Sequence, residues 1–338
     1  MKKKLKILVS LISLSASFTL FACHQTVSDK TLPKTGKSVQ SEKREPKIPT
    51  PSQEIVQIAD KIDFTQKGRD IFYTAKPEIL DAEAFNENAP INFDSRATLG
   101  YYQYSKIFVY NIQKPELEGI VEVTAAHEAL HAVWEALTSS EREKIGKLLE
   151  ENYEKVKTDE LEALMADYEK SEPGERENEL HSILGTTYGN LSPALEKYYT
   201  KYFKNRGKIV QMSDNYQAKF DELEKKSEEL SNELTRLKAE IDIEMPQYDA
   251  DLATMDSEIE TFNYHADNYY YSNEADFYAD RDILQQKVAE LDARCDAINA
   301  KVADFNAKNE ELNQIALRAT ELYDSINSRA GAPVGVSG

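Results

Sequence analysis

Apolar positions along the chain change period twice, and each change marks a different kind of element. Over residues 120–137, Ile120, Val123, Leu130, Val133, Trp134 and Leu137 recur near helical spacing, which predicts one helix from Ile120 to Leu137. Thr138-Ser139-Ser140-Glu141 then reads as a helix start, so further helices are expected over Glu141–Lys157, Asp159–Lys170, Glu175–Thr187 and Pro193–Asn205. Upstream, Ile107-Phe108-Val109-Tyr110, with Tyr101, Tyr102 and Tyr104 before it, has the β-branched and aromatic content of strands. Asn92 to Gly100 supplies turn residues, and a small sheet is expected there. From about Ile209 the spacing becomes heptad. Leu230, Leu234, Leu237 and Ile241 form one run, which resumes after a phase shift near Pro246 with Tyr248, Leu252, Met255, Ile259 and Phe262. A second run holds Leu284, Val288, Leu291, Cys295, Ile298, Val302 and Phe305. Asn263 to Asp276 lies between the runs and reads as a turn, so residues 207–330 are expected to form a long antiparallel coiled-coil hairpin. At about 50 residues per arm it would be ~75 Å long.

The two ends do not follow these patterns. Lys2, Lys3, Lys4 and Lys6 precede an apolar run from Ile7 to Leu20, too short to span a membrane comfortably and shaped like a signal peptide over residues 1–23. Leu20-Phe21-Ala22-Cys23 resembles a bacterial lipobox, which implies lipidation at Cys23 and a chain exported and anchored to the outer face of a bacterial membrane. Residues 24–53 are rich in Ser, Thr, Lys and Pro and read as a flexible tether; Leu32-Pro33-Lys34-Thr35-Gly36 within it matches a sorting pentapeptide but lacks the apolar and basic residues that must follow one. Residues 331–338 are expected to be a disordered tail. A compact domain is then left over residues 54–206.

Charge narrows the partners. The 60 acidic residues against 41 basic give a net charge of −19, which excludes nucleic acid as a partner because phosphate neutralisation needs clustered Lys and Arg. With two Cys in the chain and Cys23 assigned to lipid, Cys295 has no disulfide partner, so stability must come from packing.

The candidate chemistry lies on the first helix, at His127-Glu128-Ala129-Leu130-His131. Two His four positions apart share one helix face and can reach a single Zn²⁺, with Glu128 between them aimed at a water on the metal. Such a water has a pKa near 7, and Glu128 is suited to accept its proton as general base. The chain holds only five His, and the helix is expected independently of the motif. A catalytic zinc also needs a third protein ligand.

Asn178-Glu179-Leu180-His181-Ser182 is the best source of that ligand. Here the chain resembles the thermolysin-like gluzincins, metallopeptidases whose second zinc helix carries Asn-Glu-x-x-Ser-Asp with the Glu as ligand. Asn178, Glu179 and Ser182 match, and Ile183 stands where the Asp would be. The resemblance, over residues 100 to 200, implies an α+β zincin-like domain, mainly helical with a small sheet. It also implies Zn²⁺ on His127, His131 and Glu179, and a protein or peptide substrate. In that family the Asp orients a zinc-binding His, so another carboxylate is expected to do so here. His181 is a rival ligand to Glu179, since two residues apart they cannot share a helix face; Glu175 and Glu177 are further alternatives. Tyr188 is the candidate donor to a developing oxyanion, with whichever of Glu179 and His181 is not the ligand as its alternative. Trp134 reads as core. A non-catalytic alternative also stands, a scaffold or binding lipoprotein whose hairpin engages a protein partner or self-associates.

Overall fold

The computed structural model describes residues 48–89, 98–171 and 173–329. The signal peptide with Cys23, the tether up to residue 47, most of the Asn92–Gly100 turn and the 331–338 tail lie outside them. The described chain is mostly helical with one three-stranded sheet, and it divides into two compact units. One holds Leu223–Arg318; the other holds the described residues up to Glu222 together with those from Ala319 onward.

In the latter unit, helices α1 (Gln53–Ile62) and α2 (Gln66–Thr74) are capped by the side chains of Ser52 and Thr65, which accept from Ile55 N and Gly68 N. Strand β1 (Glu78–Leu80) and helix α3 (Ala82–Glu87) follow, the helix capped by Asp81. Strands β2 (Gly100–Gln103) and β3 (Lys106–Tyr110) are joined through Tyr104 and Ser105, both at positive φ, as a two-residue hairpin between twisted strands requires. The order is β1-β3-β2, with β1 parallel to β3 and β2 antiparallel, Tyr101 opposite Phe108. Phe85, Tyr101 and Phe108 pack together beside the sheet. None of α1, α2, β1 or α3 is evident from the periodicities above; each is short and is held by its caps and its neighbours.

Helix α4 (Ile120–Glu135) runs through the centre of this unit, buried almost all round, against α1, α2, β2 and β3. Its small side chains Ala125, Ala126, Ala129 and Ala132 let these neighbours close in. Helix α5 (Ser139–Val156) begins with a capping box in which Thr138 and Glu141 exchange hydrogen bonds. Helices α6 (Asp159–Ser171) and α7 (Arg176–Thr186) follow, and α7 lies on both α4 and α5. Helix α8 (Pro193–Tyr199) stops short of the expected Asn205. Phe203 instead forms an antiparallel bridge with Phe64, and Thr65 N donates to Tyr202 O, so the chain after Tyr199 is drawn to the α1–α2 connection.

Helices α9 (Gly207–Asp267, 61 residues) and α10 (Glu274–Ile326, 53 residues) are longer than the expected arms, and the turn shrinks to residues 268–273. The division between units falls inside them rather than at residue 207, because the start of α9 and the end of α10 belong to the unit that holds α1–α8: Phe220 lies 5.1 Å from Tyr323, and Asn86 and Ser328 exchange two hydrogen bonds. Within Leu223–Arg318, Leu230, Leu234, Leu312 and Ile315 form a buried cluster. Ion pairs continue the antiparallel pairing: Lys308 with Glu233, Lys301 with Glu240, Arg294 with Asp251 and Lys287 with Glu258. Steps of seven on α10 match steps of seven on α9 except at Lys301, which pairs with both Glu240 and Glu244 and so takes up four extra residues of α9 beside Pro246. Leu252 and Val288, both on the heptad seams, are exposed in this stretch.

The end of α7 is fastened by buried Arg206, whose guanidinium donates to the carbonyls of Leu184 and Tyr188 and pairs with Glu196. It thus satisfies carbonyls that a helix end leaves open, at the negative pole of the helix dipole. Arg206→Ala is expected to lower stability by about 2–4 kcal/mol, read by urea unfolding, since the change strands several buried acceptors at once.

Candidate metal centre

Helices α4 and α7 bring the candidate ligands together. His127, His131 and Glu179 are buried, and one ligand atom from each lies within 4.8 Å of the others. His127 Nε2 is 3.8 Å from Glu179 Oε2, and His131 Nε2 is 3.6 Å from Glu179 Oε1. Ligands on one tetrahedral zinc, at bond lengths near 2.0–2.1 Å, stand about 3.4 Å apart, so small adjustments would suffice. Both ring nitrogens of His127 are buried without a hydrogen-bond partner among the described residues. Burial, then the nearby His131 and His181, push the His127 pKa well below its ordinary value, so the ring is held neutral, the form that ligates a metal. Two imidazoles and a carboxylate are a donor set that fits zinc.

Two close approaches make this geometry, and neither is a residue that the sequence reading singled out. Gly185 on α7 faces Leu130 on α4: a Cβ there would lie 2.3 Å from Leu130 Cδ1 and 3.0 Å from the Tyr199 ring, so a larger residue would have to displace these side chains where the two helices meet. Gly100 at the start of β2 faces the motif from the other side, where a Cβ would lie 2.6 Å from Thr124 Cγ2 and 3.0 Å from both Cγ and Oε1 of Glu128. The Glu128 carboxylate is therefore confined between its own helix and the strand. A glycine inside a helix, as at Gly185, was the available signal.

The group that holds the His131 ring differs from the carboxylate expected. His131 Nδ1 is 2.9 Å from Asn178 Oδ1 and 3.4 Å from Ser182 Oγ, and Asn178 Nδ2 donates to Glu175 Oε2. An amide, not a carboxylate, thus accepts from His131, leaving Nε2 to face Glu179. Glu175 holds that amide, which gives it a place behind the cluster. Ile183 is buried and apolar, and His127 Nδ1 gains no partner from it.

His181, close to the cluster, has other partners. Its Nε2 is 2.9 Å from Tyr198 OH, and its ring packs 5.3 Å from Trp134 and 5.6 Å from Tyr199, an aromatic nest that agrees with Trp134 as core. Burial pushes the His181 pKa down to about 3, with His131 adding to the effect. Glu177 projects toward α5, its Oε1 where a side chain on Gly146 would otherwise stand, and burial raises its pKa. The phenol of Tyr188 has Glu160 and Tyr153 as charged and polar neighbours, and its carbonyl accepts from Arg206; these surroundings share no residue with the metal cluster.

Comparison of the chain with protein families, with characterised proteins and with solved structures found no match. The cluster is therefore interpreted from its own chemistry. Asn178→Ala is expected to weaken zinc binding by roughly 10–100-fold while leaving the helices intact, measured by competition with a chromophoric chelator.

Proposed function

We propose that the chain is a zinc-dependent metallohydrolase of the zincin kind, a gluzincin-like metallopeptidase that cleaves protein or peptide substrates. The observation that carries this reading is the convergence of His127, His131 and Glu179 in a buried pocket of ligand atoms, with Glu128 on the same helix turn. The motif match at Asn178, Glu179 and Ser182 supports it, as does the neutral state of His127. Bound on those three side chains, Zn²⁺ would supply Lewis-acid polarisation of a water and of the scissile carbonyl. Glu128 would accept the proton of the attacking water on its carboxylate and return it to the leaving amine. Gly100 leaves room beside that carboxylate by having no side chain, and Asn178 fixes the His131 ring.

The test separates binding from chemistry. Glu128→Gln should retain one zinc per chain and lose at least about a hundredfold in hydrolysis of a casein or mixed-peptide substrate, the lower end of the range for a general base. Full activity in that variant would refute the mechanism, and freshly purified wild-type chain without stoichiometric zinc would refute the metal site. In the latter case the hairpin would be the working part, as a scaffold or binding element.

We propose further that the chain is exported and tethered by lipid at Cys23, a reading supported by the basic start, the apolar run and Leu20-Phe21-Ala22-Cys23. Cys23→Ala expressed in a bacterial host should abolish incorporation of labelled palmitate and release the chain from the membrane fraction. Unchanged labelling would overturn it.

A further inference from the structure

We infer that the tip of the helical hairpin is a binding surface for Lys- and Arg-rich segments of another protein. The inference stands on the unit Leu223–Arg318 alone and does not depend on the metal centre.

The first observation is a set of aromatic side chains in solvent that the hairpin does not need. Phe262, Tyr271 and Phe277 pack on one another and brace the turn, with ring centroids 5.2–5.9 Å apart. Tyr264, Tyr269, Tyr270 and Tyr278 are exposed around this brace. Tyr269 is 96% exposed and sits at φ 60, a left-handed conformation in which Gly or Asn would be less strained. A tyrosine held there contributes nothing to packing, so its ring is presented outward.

The second observation is charge. Between Thr254 and Leu284 the sequence has eight carboxylates against a single Arg281. A groove of about 400 Å³ opens among them, with Phe262, Ile283 and Leu284 as apolar lining and Glu258 and Asp280 at its edge. Glu258 already pairs with Lys287, and Asp280 accepts from Tyr271 OH, so both are held in place as acceptors. An apolar lining with a carboxylate edge suits a side chain that has an alkyl stem and a cationic head. The chain's own arginine shows the contact: the Arg281 guanidinium lies over the Tyr278 ring at 4.7 Å from the centroid.

The same features exclude the other occupants. A second copy would bring the same eight carboxylates face to face with these, and nucleic acid or an anionic membrane would be repelled. The carboxylates are spread over both arms and the rings over the whole turn, which fits several cations along one polypeptide rather than one small cation in a cage.

The test uses the full chain carrying Glu128→Gln, so that no peptide is cut, titrated with a synthetic peptide of alternating Lys and Arg and, separately, with a Glu-rich peptide. Y264A/Y269G/Y278A leaves the net charge unchanged and the Phe262–Tyr271–Phe277 brace in place. The expected result is binding of the cationic peptide alone, weakened by salt and weakened about tenfold in the triple variant, as three lost ring contacts to cations imply. Tyr269→Gly alone, which relieves backbone strain and so preserves the fold, should weaken binding about twofold. Equal affinity of both variants and the parent would overturn the inference, because binding would then be a diffuse effect of net charge. Absence of binding to the cationic peptide at low salt would overturn it as well.

Discussion

The contact on which the candidate metal centre depends is the close approach of α4 and α7, where Gly185 faces the Leu130 side chain. His127 and His131 come from one helix and Glu179 from the other, so their separations of 3.6–3.8 Å depend on how closely the two helices pack. A methyl group added at position 185 would press on Leu130 Cδ1 at that contact. Arg206 fixes the far end of α7 by holding its carbonyls, and Asn178 ties the near end of the same helix to His131. The ligand helix is therefore constrained at its middle and at both ends, as a preorganised site requires.

This arrangement has an energetic consequence. A carboxylate and two imidazoles removed from water inside a helix pair rich in Ala and Leu oppose folding unless a cation compensates. The depressed pKa of His127 removes one route, its own protonation, by which the cluster might have supplied that charge. Under the proposed reading, metal affinity and folding stability would be linked in one equilibrium, and the polar groups around the cluster would matter to both.

Much of this was legible in the sequence, for identifiable reasons. The 3.6-residue period marked α4 because its buried faces are continuous, and the Thr138-to-Glu141 capping box announced α5. The heptads announced the long helices, and the break in phase at Pro246 appears as a shift in charge partners. What the sequence did not display was set by contacts between distant segments. The bridge between Phe203 and Phe64 ended α8 early, and helices α1 to α3 have too few residues to show a period. At the site, the spacing of His127, Glu128 and His131 was readable because a single helix turn imposes it. The spatial meeting with Glu179 rests on motif resemblance in the sequence and on Gly185 in the fold. Where a carboxylate was expected behind a candidate ligand His, the Asn178 amide stands behind His131, because its Oδ1 can accept from a ring N–H, although as a neutral and weaker acceptor than a carboxylate.

The shift across Pro246 has a consequence for how the two halves of the hairpin hold together. Four residues return an α-helix to nearly the same face, so the extra residues of α9 leave the apolar seam pointing at α10 while moving its charge partners by one turn. On the Leu230–Ile315 side, alignment is held by interlocking aliphatic side chains. On the other side Leu252 and Val288 face solvent, Met255 is buried, and Arg294–Asp251 and Lys287–Glu258 add to the alignment. Attraction between exposed charges is screened over about 8–10 Å in physiological salt, whereas aliphatic burial is not. Ionic strength therefore weighs more on the half of the hairpin nearer its turn, where less aliphatic surface is buried.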